Sequence, residues 1–156
     1  MLIHTLMEGF RLFCEQSEEQ EANIKATLNK LPPSHRELVS HYKIKWHGDN
    51  TLKGDNGHIG IVNPNNKTIT IAAPWNYGRE FTFLHEIAHK VFERFMTKEM
   101  LAAWKKVLAQ NPNRMKQNAE ELWCMNYANY FVKNKIMVHS HPEWEAYMKN
   151  FIKATS

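Results

Sequence analysis

His85-Glu86-Ile87-Ala88-His89 is the most informative stretch of this 156-residue chain. It lies in a run where Leu84, Ile87, Ala88, Val91, Phe92 and Phe95 recur at helical spacing. That period predicts a helix with one buried apolar stripe, ending near Met96. Two histidines at i and i+4 leave such a helix on one face, one turn apart, so both imidazoles can close on a single divalent ion. The glutamate between them is placed to take a proton from a metal-bound water. The chain carries 9 histidines. At that frequency a chance H-E-x-x-H is expected about 0.03 times in a chain of this length.

Upstream of this helix the sequence reads as strand and turn. Ile44 and Trp46 alternate with lysines. Gly48-Asp49-Asn50 and Gly54-Asp55-Asn56-Gly57 read as turns. His58 to Val62 and Lys67 to Ala72 flank Asn63-Pro64-Asn65-Asn66, which predicts a β-hairpin with a four-residue loop. A small antiparallel sheet is therefore expected just before the histidine helix. The first third reads as helices. Ile3, Leu6, Phe10 and Phe13 form one amphipathic face, and Ile24, Leu28 and Leu31 another, stopped by Pro32-Pro33. Ser34-His35-Arg36-Glu37 has the pattern of a capping box opening a short helix. Residues 1–43 are thus a helical segment that either packs on the core or covers a cleft, and 44–156 are the core of a single domain spanning 1–156.

Downstream the chain is helical again. Thr97 is placed to cap a helix carrying Leu101, Trp104 and Leu108, and Asn111-Pro112-Asn113 breaks it. A long helix is expected from about Asn118 to Lys135. After His139-Ser140-His141-Pro142, the residues Trp144, Tyr147, Met148, Phe151 and Ile152 form an apolar face that should dock on the core. The fold class is α+β, mostly helical with a small antiparallel sheet.

A catalytic zinc takes three protein ligands and leaves one position for water. No glycine and histidine follow His89 at the spacing of the longer H-E-x-x-H-x-x-G-x-x-H motif; Phe92 and Phe95 stand there. Glu93 is one turn beyond His89, and an α-helix rises about 6 Å over four residues, so three successive turns cannot meet one ion. Glu120 and Glu121, on the next long helix, are the candidates. Glu121 shares a face with the small residues Cys124 and Ala128, which let two helices approach. Glu120 shares its face with Trp123 and Tyr127. Sterics therefore favour Glu121, with Glu120 as the alternative. Asn118-Ala119-Glu120-Glu121 also has a capping-box pattern, in which a carboxylate stabilises the helix start and touches no metal.

Composition narrows the remaining choices. The length suits one domain with a sizeable core. The net charge of +4 is spread over scattered lysines and arginines, without the basic-aromatic patterning of a nucleic-acid surface. No apolar run approaches the roughly 18 residues that span a bilayer. The start, Met1-Leu2-Ile3-His4-Thr5, lacks the basic and long apolar regions of a secretory signal. Cys14 and Cys124 are too few and too far apart for a disulfide framework. The expectation is a cytoplasmic protein that acts on a protein or peptide, with neither nucleic acid nor membrane as partner.

Phe83-Leu84-His85-Glu86-Ile87-Ala88-His89 and Glu120-Glu121-Leu122-Trp123-Cys124-Met125-Asn126-Tyr127 resemble the gluzincin metallopeptidases, in which H-E-x-x-H is completed by a glutamate from a later helix. Within that group they look most like the catalytic domain of the anthrax lethal factor type and its small relatives in bacteria and phages. The resemblance covers roughly residues 44 to 152. It implies a zincin-like fold and a zinc-dependent endopeptidase, with His85, His89 and Glu121 as ligands of Zn2+ and Glu86 as general base. Two positions depart from the pattern. Met125 stands where relatives often carry a glutamate that orients the ligands, and Arg114 stands where the lethal factor type places an oxyanion-stabilising tyrosine. Arg114, His139, His141, Tyr77 and Tyr130 are the candidates for that role here. The alternative reading is a catalytically inactive zinc-binding module that regulates or binds another protein.

Overall fold

The computed structural model describes residues 18–47, 60–63, 65–72, 77–111, 113, 116–133 and 141–156. The expected helix face of Ile3, Leu6, Phe10 and Phe13, the two turns at 48–50 and 54–57, and His58 lie outside the described residues. Helix α1 covers residues 18–29. Two i to i+3 bonds tighten its end, Lys30 N–H to Thr27 O and Leu31 N–H to Thr27's neighbour Leu28 O, both 3.1 Å. Pro32 and Pro33, without N–H groups, carry it no further. Helix α2, Pro33–Glu37, starts on those prolines with Pro32 at its N-cap and no side-chain cap. The expected capping box at Ser34 does not form. Proline's fixed φ opens the helix one residue early, so Ser34 lies inside it and donates its hydroxyl to Thr155 O at 2.7 Å.

Three strands follow: β1 Lys43–His47, β2 Gly60–Asn63 and β3 Thr68–Ala72. They form one sheet in the order β1-β3-β2. Strands β2 and β3 pair antiparallel from Asn63↔Thr68 to Gly60↔Ile71, which is the expected hairpin. The paired strands end at Asn63 and resume at Thr68, each one residue later than the sequence suggested, and Lys67 adopts a left-handed φ of 51° just before β3. The wholly antiparallel sheet is corrected by β1, which pairs parallel to β3 from Lys43↔Thr68 to His47↔Ala72. Alternating apolar residues specify that a strand forms but not its direction. Parallel neighbours need a long connection, and the chain between β1 and β2 supplies one.

Four elements complete the helical body: α3 Tyr77–Phe95, α4 Lys98–Ala109, α5 Ala119–Val132 and α6 Pro142–Thr155. The predicted stripe of α3 is buried, with Leu84, Ile87, Ala88 and Val91 wholly inaccessible. Thr97 caps α4 as its sequence predicts, accepting from Met100 N–H at 3.1 Å. Helix α5 buries most of its circumference, including Leu122, Trp123, Cys124, Tyr127, Ala128 and Phe131. It ends at Lys133, whose left-handed backbone (φ 54°, ψ 51°) closes the helix. Helix α6 docks through Trp144, Met148 and Phe151 as its apolar face predicts.

One apolar core joins these pieces. Ile24 of α1, Leu31 and Val39 beside α2, Ile69 of the central strand, and the inner faces of α3 to α6 belong to it. Among the described residues, no helix is long and apolar enough to cross a membrane.

Candidate metal centre

Helices α3 and α5 pack on each other more extensively than any other pair of elements, and the candidate centre lies where they meet. The buried stripe of α3 fixes its rotation, which turns His85 and His89 toward α5 with side chains 16% and 30% exposed. The start of α5 is held from two sides. Trp104 of α4, itself fully buried, donates its indole N–H to Ala119 O at 2.8 Å. Asn118 Oδ1 accepts from the N–H groups of Glu120 (2.9 Å) and Glu121 (3.3 Å). The predicted cap is therefore real, but Asn118 makes it, and both carboxylates reach across to α3.

Glu121 bridges the two histidines. Its Oε2 lies 3.1 Å from His85 Nε2, and its Oε1 lies 3.1 Å from His89 Nε2. The two imidazoles stand edge to face with centroids 5.0 Å apart. One donor atom from each of His85, His89 and Glu121 falls within 4.8 Å of the others, so the three could hold a metal ion. Zinc–nitrogen and zinc–oxygen bonds near 2.1 Å at a tetrahedral angle separate neighbouring donors by about 3.4 Å. Each histidine nitrogen lies 3.1 Å from a different oxygen of Glu121, close to that spacing. Two imidazoles and a carboxylate are also donors that suit zinc, although such a set binds other divalent ions.

Glu120 is not idle, and the sequence reading missed its part. Its Oε1 lies 3.0 Å from the other ring nitrogen of the same histidine, His89 Nδ1. Trp123 and Tyr127, large residues on the face of Glu120, do not hold the two helices apart there. Those two rings pack inward, Trp123 against Phe92 of α3 and Phe151 of α6 at 5.4 and 4.9 Å between centroids. The small side chain of Cys124, wholly buried beside His89 and Glu120, lets the helices approach. Burial, joined by the carboxylates of Glu120, Glu121 and Glu86, pushes the Cys124 thiol far above its ordinary range. Glu86, next to His85 in α3, is partly buried. Cys124 is a free thiol.

Other sequence candidates lie elsewhere. Glu93 is exposed and pairs with Lys90 at 3.4 Å, a solvated position as its spacing implied. Tyr130 lines a cavity with Lys30, Leu31, Pro33 and Ile152, away from the two histidines. His141 packs at a tilt against Trp144 at the start of α6, with centroids 4.6 Å apart. Arg114, His139 and the side chain of Tyr77 lie outside the described residues. Met125, one turn beyond Glu121, is the exposed large apolar residue among those described, at 37%. In comparisons with known proteins, no family model, no curated protein and no solved structure matches the chain.

Proposed function

We propose that the chain is a zinc-dependent metallopeptidase of gluzincin type, an endopeptidase that hydrolyses peptide bonds in a protein substrate. The observation that carries this reading is the convergence of His85 Nε2 and His89 Nε2 on one carboxylate, Glu121, with Glu86 between the histidines in sequence. Zn2+ held by these three residues would acidify a coordinated water and polarise the scissile carbonyl. Glu86 would accept a proton from the attacking water and deliver it to the amide nitrogen as the C–N bond breaks. Strand β2 ends one side of the sheet and packs next to α3. An extended substrate can add to such an edge through main-chain hydrogen bonds.

Replacing Glu86 by Gln should leave one zinc per chain and lower cleavage of unfolded protein substrates by about 100-fold or more. Undiminished turnover in that variant would remove Glu86 from the mechanism. A second reading, a zinc-binding regulatory or interaction module without turnover, is favoured by Met125, which puts an exposed apolar side chain where a carboxylate would orient the ligands. Tight zinc binding with no cleavage, in wild type and Glu86→Gln alike, would select it.

A further inference from the structure

His89 meets a carboxylate at each ring nitrogen: Glu121 Oε1 at Nε2, 3.1 Å, and Glu120 Oε1 at Nδ1, 3.0 Å. A neutral imidazole has one N–H donor and one lone pair, and an ionised carboxylate only accepts. If Nε2 gives its lone pair to an ion, the proton must sit on Nδ1, where Glu120 accepts it. We propose that Glu120 is a positioning residue that fixes the tautomer and ring orientation of His89 for metal binding and does not itself bind the metal. This rests on the reading of His85, His89 and Glu121 as a metal site. A carboxylate behind a ligating histidine raises its basicity as well as aiming it. Met125 offers no such group from the next turn of α5, so the neighbour of the ligand glutamate supplies it.

A rival use of the same atoms has to be weighed. His89, Glu120 and Cys124 also place one donor each within 4.8 Å of the others. Nδ1 cannot both donate a proton to Glu120 and bind an ion, so the two uses exclude each other. Cys124 has no exposed surface, and an ion there would be enclosed by the helix crossing. The Glu121 side chain is 53% exposed, so the His85, His89 and Glu121 group leaves room for the water that a catalytic zinc keeps.

The test is zinc affinity and stoichiometry, by competition with a chromophoric chelator, for wild type, Glu120→Ala, Glu120→Gln, Glu121→Ala and Cys124→Ala. Proton–nitrogen NMR of the zinc-loaded protein at His89 accompanies it. Glu120→Ala should weaken binding by about 10–100-fold at one ion per chain. Glu120→Gln should recover most of that loss, because the amide oxygen accepts the same bond. Glu121→Ala should lose the ion. The slowly exchanging Nδ1–H resonance of His89 should be present in wild type and Glu120→Gln and absent in Glu120→Ala. Wild-type affinity with that resonance intact in Glu120→Ala would overturn the proposal. So would a loss in Glu120→Gln as deep as in Glu121→Ala, which would make Glu120 a ligand. Two ions per chain, the second lost in both Glu120→Ala and Cys124→Ala, would overturn it too. No zinc uptake by wild type would sink the metal site and the proposal together. Normal zinc binding without Glu86-dependent cleavage would remove only the peptidase, and the affinity series would still decide on Glu120.

Discussion

His35 joins three helices through one buried ring. Its Nδ1 lies 3.0 Å from the Tyr127 hydroxyl of α5, and its Nε2 lies 2.8 Å from Thr155 Oγ1 of α6. Thr155 already donates that hydroxyl to Phe151 O at 2.9 Å. Its oxygen therefore accepts from His35 Nε2–H, and His35 Nδ1 accepts from Tyr127. Both nitrogens are used in the neutral form, and the ring sits against Phe95 and Phe151. Burial lowers its pKa from 6.5 to about 4. An unfolded chain protonates His35 near 6.5, and the folded one waits until about 4, so the unfolded state binds more protons between those values. The stability it contributes is full above pH 6.5, falls as the pH drops, and is gone below about 4, an upper limit of about 3 kcal/mol. Urea unfolding of wild type and His35→Gln from pH 7 to 4 should give a shallower pH slope for the variant; equal slopes would assign the titration to other groups. This residue was not legible in the sequence. Ser34-His35-Arg36-Glu37 looked like a cap, and whether a lone histidine is buried depends on which helices close over it. His85 and His89 were legible as a pair because helical spacing fixes their relation before any packing is known; Glu121 stands on a separate helix, and only a steric preference set it ahead of Glu120. The contact of Glu120 with His89 needed the helix crossing, and spacing does not encode it.

At the scale of elements, periodicity was the readable signal wherever one face is buried against a neighbour. It located α3, α4 and α6 closely, and the caps Thr97 and Asn118 marked two helix starts. The direction of β1 was unreadable for a physical reason. Its alternation is satisfied equally by either pairing, and only the path of the connecting chain chooses between them. The meeting of α3 and α5 depends on a different quantity, side-chain volume. Cys124 is fully buried beside His89, so a larger side chain there must push the helices apart or strain their rotamers. Cys124→Leu should destabilise the fold by about 1–3 kcal/mol. It should also weaken zinc binding far more than Cys124→Ala does, because Glu121 moves away from the histidines. Thr97→Ala is the control: it removes a cap worth about 1 kcal/mol at the far end of α3 and should leave zinc affinity unchanged. Parallel chemical denaturation and zinc titration separate the two effects. Equal zinc affinities in Cys124→Leu and Cys124→Ala would mean that the crossing distance does not govern the site.

For the molecule as a whole, the first helices are the open question that the core answers in part. The sequence allowed them to be either a packing unit or a cover over the cleft. Ile24, Leu31, His35 and Val39 are all buried, in the same core as α3, α5 and α6. Thr27 also donates to Glu80 in the first turn of α3 at 3.1 Å, and Lys30 pairs with the same carboxylate. Burying one aliphatic side chain is worth about 1.5–3 kcal/mol. The three lost on deleting residues 1–40 therefore amount to roughly 5–9 kcal/mol, comparable with the about 5–15 kcal/mol that holds a domain together. Deletion also strips His35 from the Tyr127 hydroxyl and opens Phe95 and Phe151 to water. A chain beginning at residue 41 should accordingly show no cooperative melt and bind zinc weakly or not at all. If it melts cooperatively and cleaves substrate faster than the full chain, these helices are a removable cover and their buried contacts are dispensable. A chain beginning at residue 18 keeps every contact named here. It is the form in which to ask whether the first seventeen residues restrain the cleft, since a rise in its activity could not be confused with loss of the fold.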